Sequence, residues 1–176
     1  GYRKMGLASL MRSPPPYAAA ILILLGLSSP SLAEGCSPER ERVSVPLPGF
    51  SSPAEIVIPP LGVQPRGLLV LFPGSDVADM DGAVQGANGA IVSRPMRQVA
   101  DRLACAGFAS LRYNKRFVTG ALTVDRSKFD ALNGADLASD GRLALAFART
   151  RPALATLPVG LVGWSEGTTV AMEIAA

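Results

Sequence analysis

Gly163-Trp164-Ser165-Glu166-Gly167 is where this sequence sets chemistry-bearing residues at a spacing that chemistry can use. The apolar residues 159–162 precede it, and residues 168–176, rich in Ala, Met, Ile and Glu, follow it. That order reads as strand, sharp turn and helix, with a serine at the apex. A serine held there has its hydroxyl pushed clear of the backbone. The helix after it aims its first N–H groups and the positive end of its dipole at the same place. The flanking positions must be glycine, because larger side chains would collide with the neighbouring strand and helix. The chemistry served is nucleophilic attack on an acyl carbon, with Ser165 as nucleophile. The plainer alternative is a glycine-containing turn with an incidental serine, in a chain that has 18 glycines. The strand before and the helix after favour the nucleophile.

With 176 residues, 48% hydrophobic and 18% charged, the chain can build one domain with a real core, and disorder is excluded. The net charge is only +3 and the Lys and Arg are scattered, so no nucleic-acid surface is expected. Histidine is absent, and the cysteines are two, Cys36 and Cys105. A Cys/His zinc site of the usual spacing is therefore excluded, and neither metal nor cofactor is expected. The same absence removes the commonest general base for a serine nucleophile.

Arg3, Lys4 and Arg12 stand ahead of an apolar run over residues 17–27, and Ser31 and Ala33 supply small residues after it. That is the plan of a secretory signal peptide over residues 1–33, with cleavage after Ala33 and an exported domain over 34–176. An uncleaved anchor is the alternative, although the run is shorter than the roughly 20 residues a membrane span needs, and no stable span is expected. Met5 and Met11 are both plausible starts. A periplasmic or extracellular setting leaves two readings for Cys36 and Cys105: a disulfide, or two unpaired thiols with Cys105 packed as a small core residue.

The elements that must position Ser165 come next. Val43-Ser44-Val45 alternates as a strand, residues 46–53 mark a turn through their Pro, Gly and Ser, and residues 55–58 form a second short strand. Residues 67–72 are a continuous apolar run suited to a central strand covered on both faces. A long Gly-, Asp-, Ala- and Asn-rich loop runs from Pro73 to about Ser93. Residues 94–107 form a helix with Met96, Val99, Ala100, Leu103 and Ala104 on one face, ended by Gly107. Residues 108–113 are a strand running into Asn114-Lys115-Arg116, residues 117–134 are polar and irregular, and a helix capped by Asp136 reaches about Arg149. Alternating strands and helices give a mostly parallel sheet with helices on both faces, so the fold class is α/β. Reactive groups in such sheets gather at the carboxyl ends of strands. Gly74-Ser75, Lys115-Arg116 and Ser165 all fall there.

Three blocks resemble the α/β-hydrolase superfamily over residues 43–176. Leu69-Val70-Leu71-Phe72-Pro73-Gly74-Ser75 with Asp79-Met80-Asp81-Gly82 is similar to the third strand and oxyanion loop of bacterial esterases related to the serine aminopeptidase and dienelactone hydrolase groups. Gly107-Phe108-Ala109-Ser110-Leu111-Arg112-Tyr113-Asn114-Lys115-Arg116 resembles their Gly-x-x-x-x-Arg-Tyr-Asp-Lys-Arg strand, with Asn114 where Asp is common. The Ser165 pentapeptide resembles their elbow, with Trp164 where His is common. The family places its triad acid and histidine after further strands. The resemblance therefore implies the N-terminal part of such a fold, truncated after the elbow helix.

The resemblance further implies acyl transfer on an ester, thioester or amide, a carboxylesterase first, through an acyl-serine at Ser165. The oxyanion hole would be the backbone N–H of Glu166 and that of Ser75. Asp76, Asp79 and Asp81 lack the Ca²⁺-loop pattern and read as a solvated acidic loop. Lys115 reads as a surface lysine or structural ion pair before a surrogate base, and Glu166 as a first-turn carboxylate on the helix dipole. The partner expected is a small-molecule ester or peptide-like substrate. Alternatives from other classes are a non-catalytic fragment or pseudoenzyme acting as a binding module, and an exported, membrane-tethered protein whose sheet is structural. Residues 34–176 alone are expected to be poorly soluble, because the elbow strand would be an uncovered sheet edge. Export itself is checked by intact-mass measurement of the secreted protein: its first residue is expected to be Glu34, and a retained residue 1–33 segment would refute cleavage.

Overall fold

The computed structural model describes residues 35–75 and 77–176. The expected signal peptide over 1–33, and Asp76 of the loop, lie outside them. Strands β1 (Glu39–Leu47) and β2 (Phe50–Ile58) form an antiparallel hairpin. Only Pro48-Gly49 turns the chain, with Gly49 at φ 66°. The turn expected over 46–53 is thus shorter than its Pro and Ser content implies. Pro46 lies on the outer strand, where a missing N–H costs little, and Ser51-Ser52-Pro53 is paired strand.

The apolar run becomes β3 (Leu68–Phe72), flanked in parallel by β6 (Ala109–Tyr113) and β9 (Val159–Gly163). The five-stranded sheet has the order β1-β2-β6-β3-β9, with β2 and β6 antiparallel. The alternating part of the chain therefore gives the parallel strands, and the two leading strands add the antiparallel ones. Helix α1 (Pro95–Cys105) covers one face, where Met96, Ala100 and Ala104 meet Val57 and Leu71. Helices α3 (Gly134–Arg149) and α4 (Glu166–Ala175) cover the other, where Ala144, Ala148, Val170 and Ala171 meet Val70, Phe72 and Leu111. Helices thus lie on both faces, as the apolar runs on β3 and β6 require.

Three local expectations change. The long loop after Phe72 carries a small antiparallel ribbon, β4 (Val84–Gln85) with β5 (Ile91–Ser93). The segment over 117–134 holds β7 (Val118–Gly120), β8 (Thr123–Val124) and the single turn α2 (Arg126–Phe129). Helix α3 is capped by Asn133, not Asp136. The Asn133 side chain accepts from the Asp136 N–H at 3.1 Å, and the Asp136 carboxylate accepts from the Asn133 N–H at 3.0 Å. Asp136 thus completes a reciprocal capping box as its third residue.

Of the two readings for the cysteines, the bridge is present: Cys36 and Cys105 are bonded, with Cα atoms 6.0 Å apart. No helix among the described residues is long and apolar enough to cross a membrane. β9 is the outermost strand on its side, half-buried along its length, and Leu145, Leu161, Met172 and Ile174 line an open apolar groove beside it. The bridge spans 69 residues of sequence, so its loss is expected to lower unfolding free energy by about 4 kcal/mol. Urea unfolding of the Cys36→Ala/Cys105→Ala variant against the oxidised protein measures it, and an unchanged midpoint would contradict the stapling role.

Candidate active site

The carboxyl ends of β3, β6 and β9 point the same way because those strands are parallel. β9 ends at Gly163, and α4 begins at Glu166. Between them Ser165 adopts φ 53°, ψ −120° and is exposed. A non-glycine residue in such backbone costs on the order of 1–3 kcal/mol and is held there only by its surroundings. Those surroundings are visible at both glycines. A side chain on Gly163 would collide with the Gly167–Thr168 backbone, and one on Gly167 with the carbonyl of Phe72. The Trp164 N–H donates to the Phe72 carbonyl at 3.1 Å, which ties the turn to the end of β3.

The loop after β3 comes directly beside the serine. A Cβ on Gly74 would sit 3.3 Å from the Trp164 carbonyl oxygen and 3.6 Å from Ser165 Cβ. Ser75 follows on the exposed rim. Glu166 opens α4, where a first-turn N–H has no intrahelical acceptor. So Ser165, Glu166 and the Gly74-Ser75 loop, distant in sequence, share one rim.

The residues after β6 complete it. Lys115 is 5% exposed and its ammonium pairs with the Glu166 carboxylate. Lys115 is thus a buried structural ion pair rather than a surface lysine, and the Glu166 side chain reaches across to β6 instead of only following its helix. Arg116 pairs with the buried Asp140 of α3, its Nε donating at 3.0 Å. Burial pushes the Asp140 carboxyl above its ordinary range, although Arg116 acts in the opposite direction. The Asn114 side chain accepts from the Met80 N–H at 2.8 Å and donates to the Val118 carbonyl at 3.0 Å. An amide can do both, so Asn114 joins the two rim loops where a carboxylate could only accept.

Two of the aspartates expected to be solvated, Asp79 and Asp81, are engaged within the fold. Asp79 is 5% exposed and accepts from the Ala83 N–H at 2.9 Å. Asp81 pairs with Arg112, which is fully buried on β6 and also pairs with Glu55 of β2. Arg94 approaches Asp81 at 3.2 Å, and Arg40 approaches Glu55 at 3.0 Å. Sequence reasoning missed this cluster. The available signal was a charged residue inside each of two apolar strands, Arg112 and Glu55, which burial obliges to find partners. Among the described residues no group of His, Cys, Asp and Glu is arranged to hold a metal ion.

Comparison with solved structures decides the fold. A dienelactone hydrolase from Anabaena variabilis superposes with a TM-score of 0.58 at 25% identity, over 78% of this chain and 57% of that one. The fold is that of the α/β-hydrolases. Two further solved structures agree. A dienelactone hydrolase-like promiscuous phosphotriesterase from metagenomic libraries matches with a TM-score of 0.56 at 18% identity, over 80% of this chain and 54% of that one. A cold-adapted esterase from an Arctic intertidal metagenomic library gives 0.55 at 20%, over 78% and 55%. The chain thus spans little more than half the length of those structures. No family model matches the sequence, and no curated protein matches it.

Tyr113, at the end of β6, is buried beneath this rim with Phe72 edge-on to its ring. Burial, and then the Asp140 charge, push its phenol well above the usual value near 10. The folded-state value lies above the unfolded one, so the stabilisation is full below about pH 10 and is lost as pH rises beyond it. The tyrosinate absorbance assigned to Tyr113 by difference against Tyr113→Phe is expected only as the protein unfolds in alkali. Ionisation near pH 10 with the fold intact would contradict this burial.

Proposed function

We propose that this chain carries the nucleophile half of a serine hydrolase acting on an ester, thioester or amide, with a carboxylesterase the first choice. The observation that carries it is Ser165 at φ 53° on the strand-to-helix turn, exposed and 3.6 Å from the Gly74 Cβ position. In this reading the Ser165 Oγ attacks the acyl carbon and forms an acyl-serine. The carbonyl oxygen becomes an oxyanion between the backbone N–H of Glu166 and that of Ser75. Each such donor typically lowers the barrier by about 3 kcal/mol. The family resemblance places the base that takes the serine proton, and the acid that orients it, on loops after further strands, and these 176 residues contain no histidine. The solved neighbours, a dienelactone hydrolase, a phosphotriesterase and an esterase, support the class of reaction. The Cys36–Cys105 bridge supports an exported protein, since such bonds persist in oxidising compartments.

The missing histidine also favours a second reading, a catalytically silent fold that binds a ligand or partner through the same cleft. A fluorophosphonate probe on the exported, full-length protein separates the two. Labelling is expected in the natural protein and is lost in Ser165→Ala, which should also lower ester turnover on the order of 10⁴-fold or more. No labelling of the natural protein, or labelling that survives Ser165→Ala, would refute the hydrolase.

A further inference from the structure

The Lys115–Glu166 pair is placed where its charge matters to the site. Glu166 is the residue after Ser165, and its carboxylate side chain is 40% exposed beside the turn. A carboxylate there opposes negative charge developing on a bound carbonyl oxygen a few ångströms away. Lys115 answers it from β6. Its side chain is 6% exposed, it stands 5.9 Å from the Phe129 ring, and it lines a small internal pocket with Pro73, Tyr113, Leu137 and Asp140. The carboxylate that lines that pocket, Asp140, is engaged by Arg116. The lysine is therefore a buried cation that pairs with the carboxylate of the first residue of α4.

We propose that Lys115 is a positioning residue for the oxyanion site: by pairing with Glu166 it neutralises that carboxylate and keeps an unpaired charge from displacing the Glu166 backbone N–H. This rests on the hydrolase reading above. Lys115 neither touches the acyl group nor moves a proton. It acts through Glu166, and a charge left unpaired at 166 is the harm it prevents. Substituting the lysine alone should then be worse than removing both charges together.

The test uses the exported, full-length protein and the variants Lys115→Met, Glu166→Gln and the double variant, each first checked for a cooperative melt. Two readouts are taken. The limiting rate of fluorophosphonate labelling is expected to fall at least about tenfold in Lys115→Met, with half-saturation unchanged, and to recover to within about threefold of the natural protein in the double variant. Acrylamide quenching of Trp164, one residue before Ser165, is expected to rise in Lys115→Met and to return toward the natural value in the double variant. Any tryptophan elsewhere is subtracted with Trp164→Phe. Equal labelling rates in Lys115→Met and the natural protein overturn the proposal, and so does a double variant as slow as Lys115→Met. If the natural protein does not label at all, the hydrolase reading fails, and the quenching decides alone. Unchanged quenching in Lys115→Met then shows that Lys115 does not hold the turn, and a rise reversed by Glu166→Gln shows that it holds the turn without serving an oxyanion site.

Discussion

The close approach of α4 to the end of β3 is the constraint on which the site depends. Gly167 lies against the Phe72 carbonyl so closely that no side chain fits between them, and Gly163 is held equally tightly against the start of the same helix. Two backbone segments at that separation leave the residue between them little freedom. Ser165 is driven to positive φ and is left exposed. The two glycines are thus required by proximity rather than by flexibility. The strain is sustained by the parallel ladder between β3 and β9, which ends at the Phe72–Gly163 pairing.

Around this junction the fold uses buried charge pairs to tie loops to strands. Arg112 joins β2 and the loop after β3 to β6, Arg116 joins α3 to β6, and Lys115 joins α4 to β6. Every tie radiates from one strand and the residues just beyond it. Charges taken out of water are costly alone, and removing one partner leaves the other uncompensated. Such pairs specify geometry more than they add stability, which suits a rim that must hold several backbone segments in fixed relation.

How much of this could be read in advance followed the range of the interactions. The turn at Ser165, the apolar β3 and the one-sided α1 were legible because each leaves a local pattern: a spaced pair of glycines, a continuous apolar run, a helical stripe. The ribbons β4–β5 and β7–β8 were not, since strands of two or three residues leave no period. Asn133 was missed as a cap because Asn-Gly reads equally well as a turn. The Arg112 cluster joins residues 57 and 31 positions away, so only assembly of the sheet brings it together. At the site, the serine and the adjoining loop were foreseeable from their places at strand ends. The burial of Lys115 and its hold on Glu166 were not.

The strand order has a consequence for how the molecule is put together. β6 lies between β2 and β3, yet it follows both in the chain, and it also follows Cys105. A polypeptide emerging from its amino end exposes both sulfurs of the bridge before the middle ribbon of the sheet exists. A cross-link made at that moment closes a loop that holds both neighbours of that ribbon, β2 and β3, while residues 109–113 stay outside it. The ribbon that parts those neighbours is then inserted from beyond the cross-linked loop, and β9 extends the sheet after it.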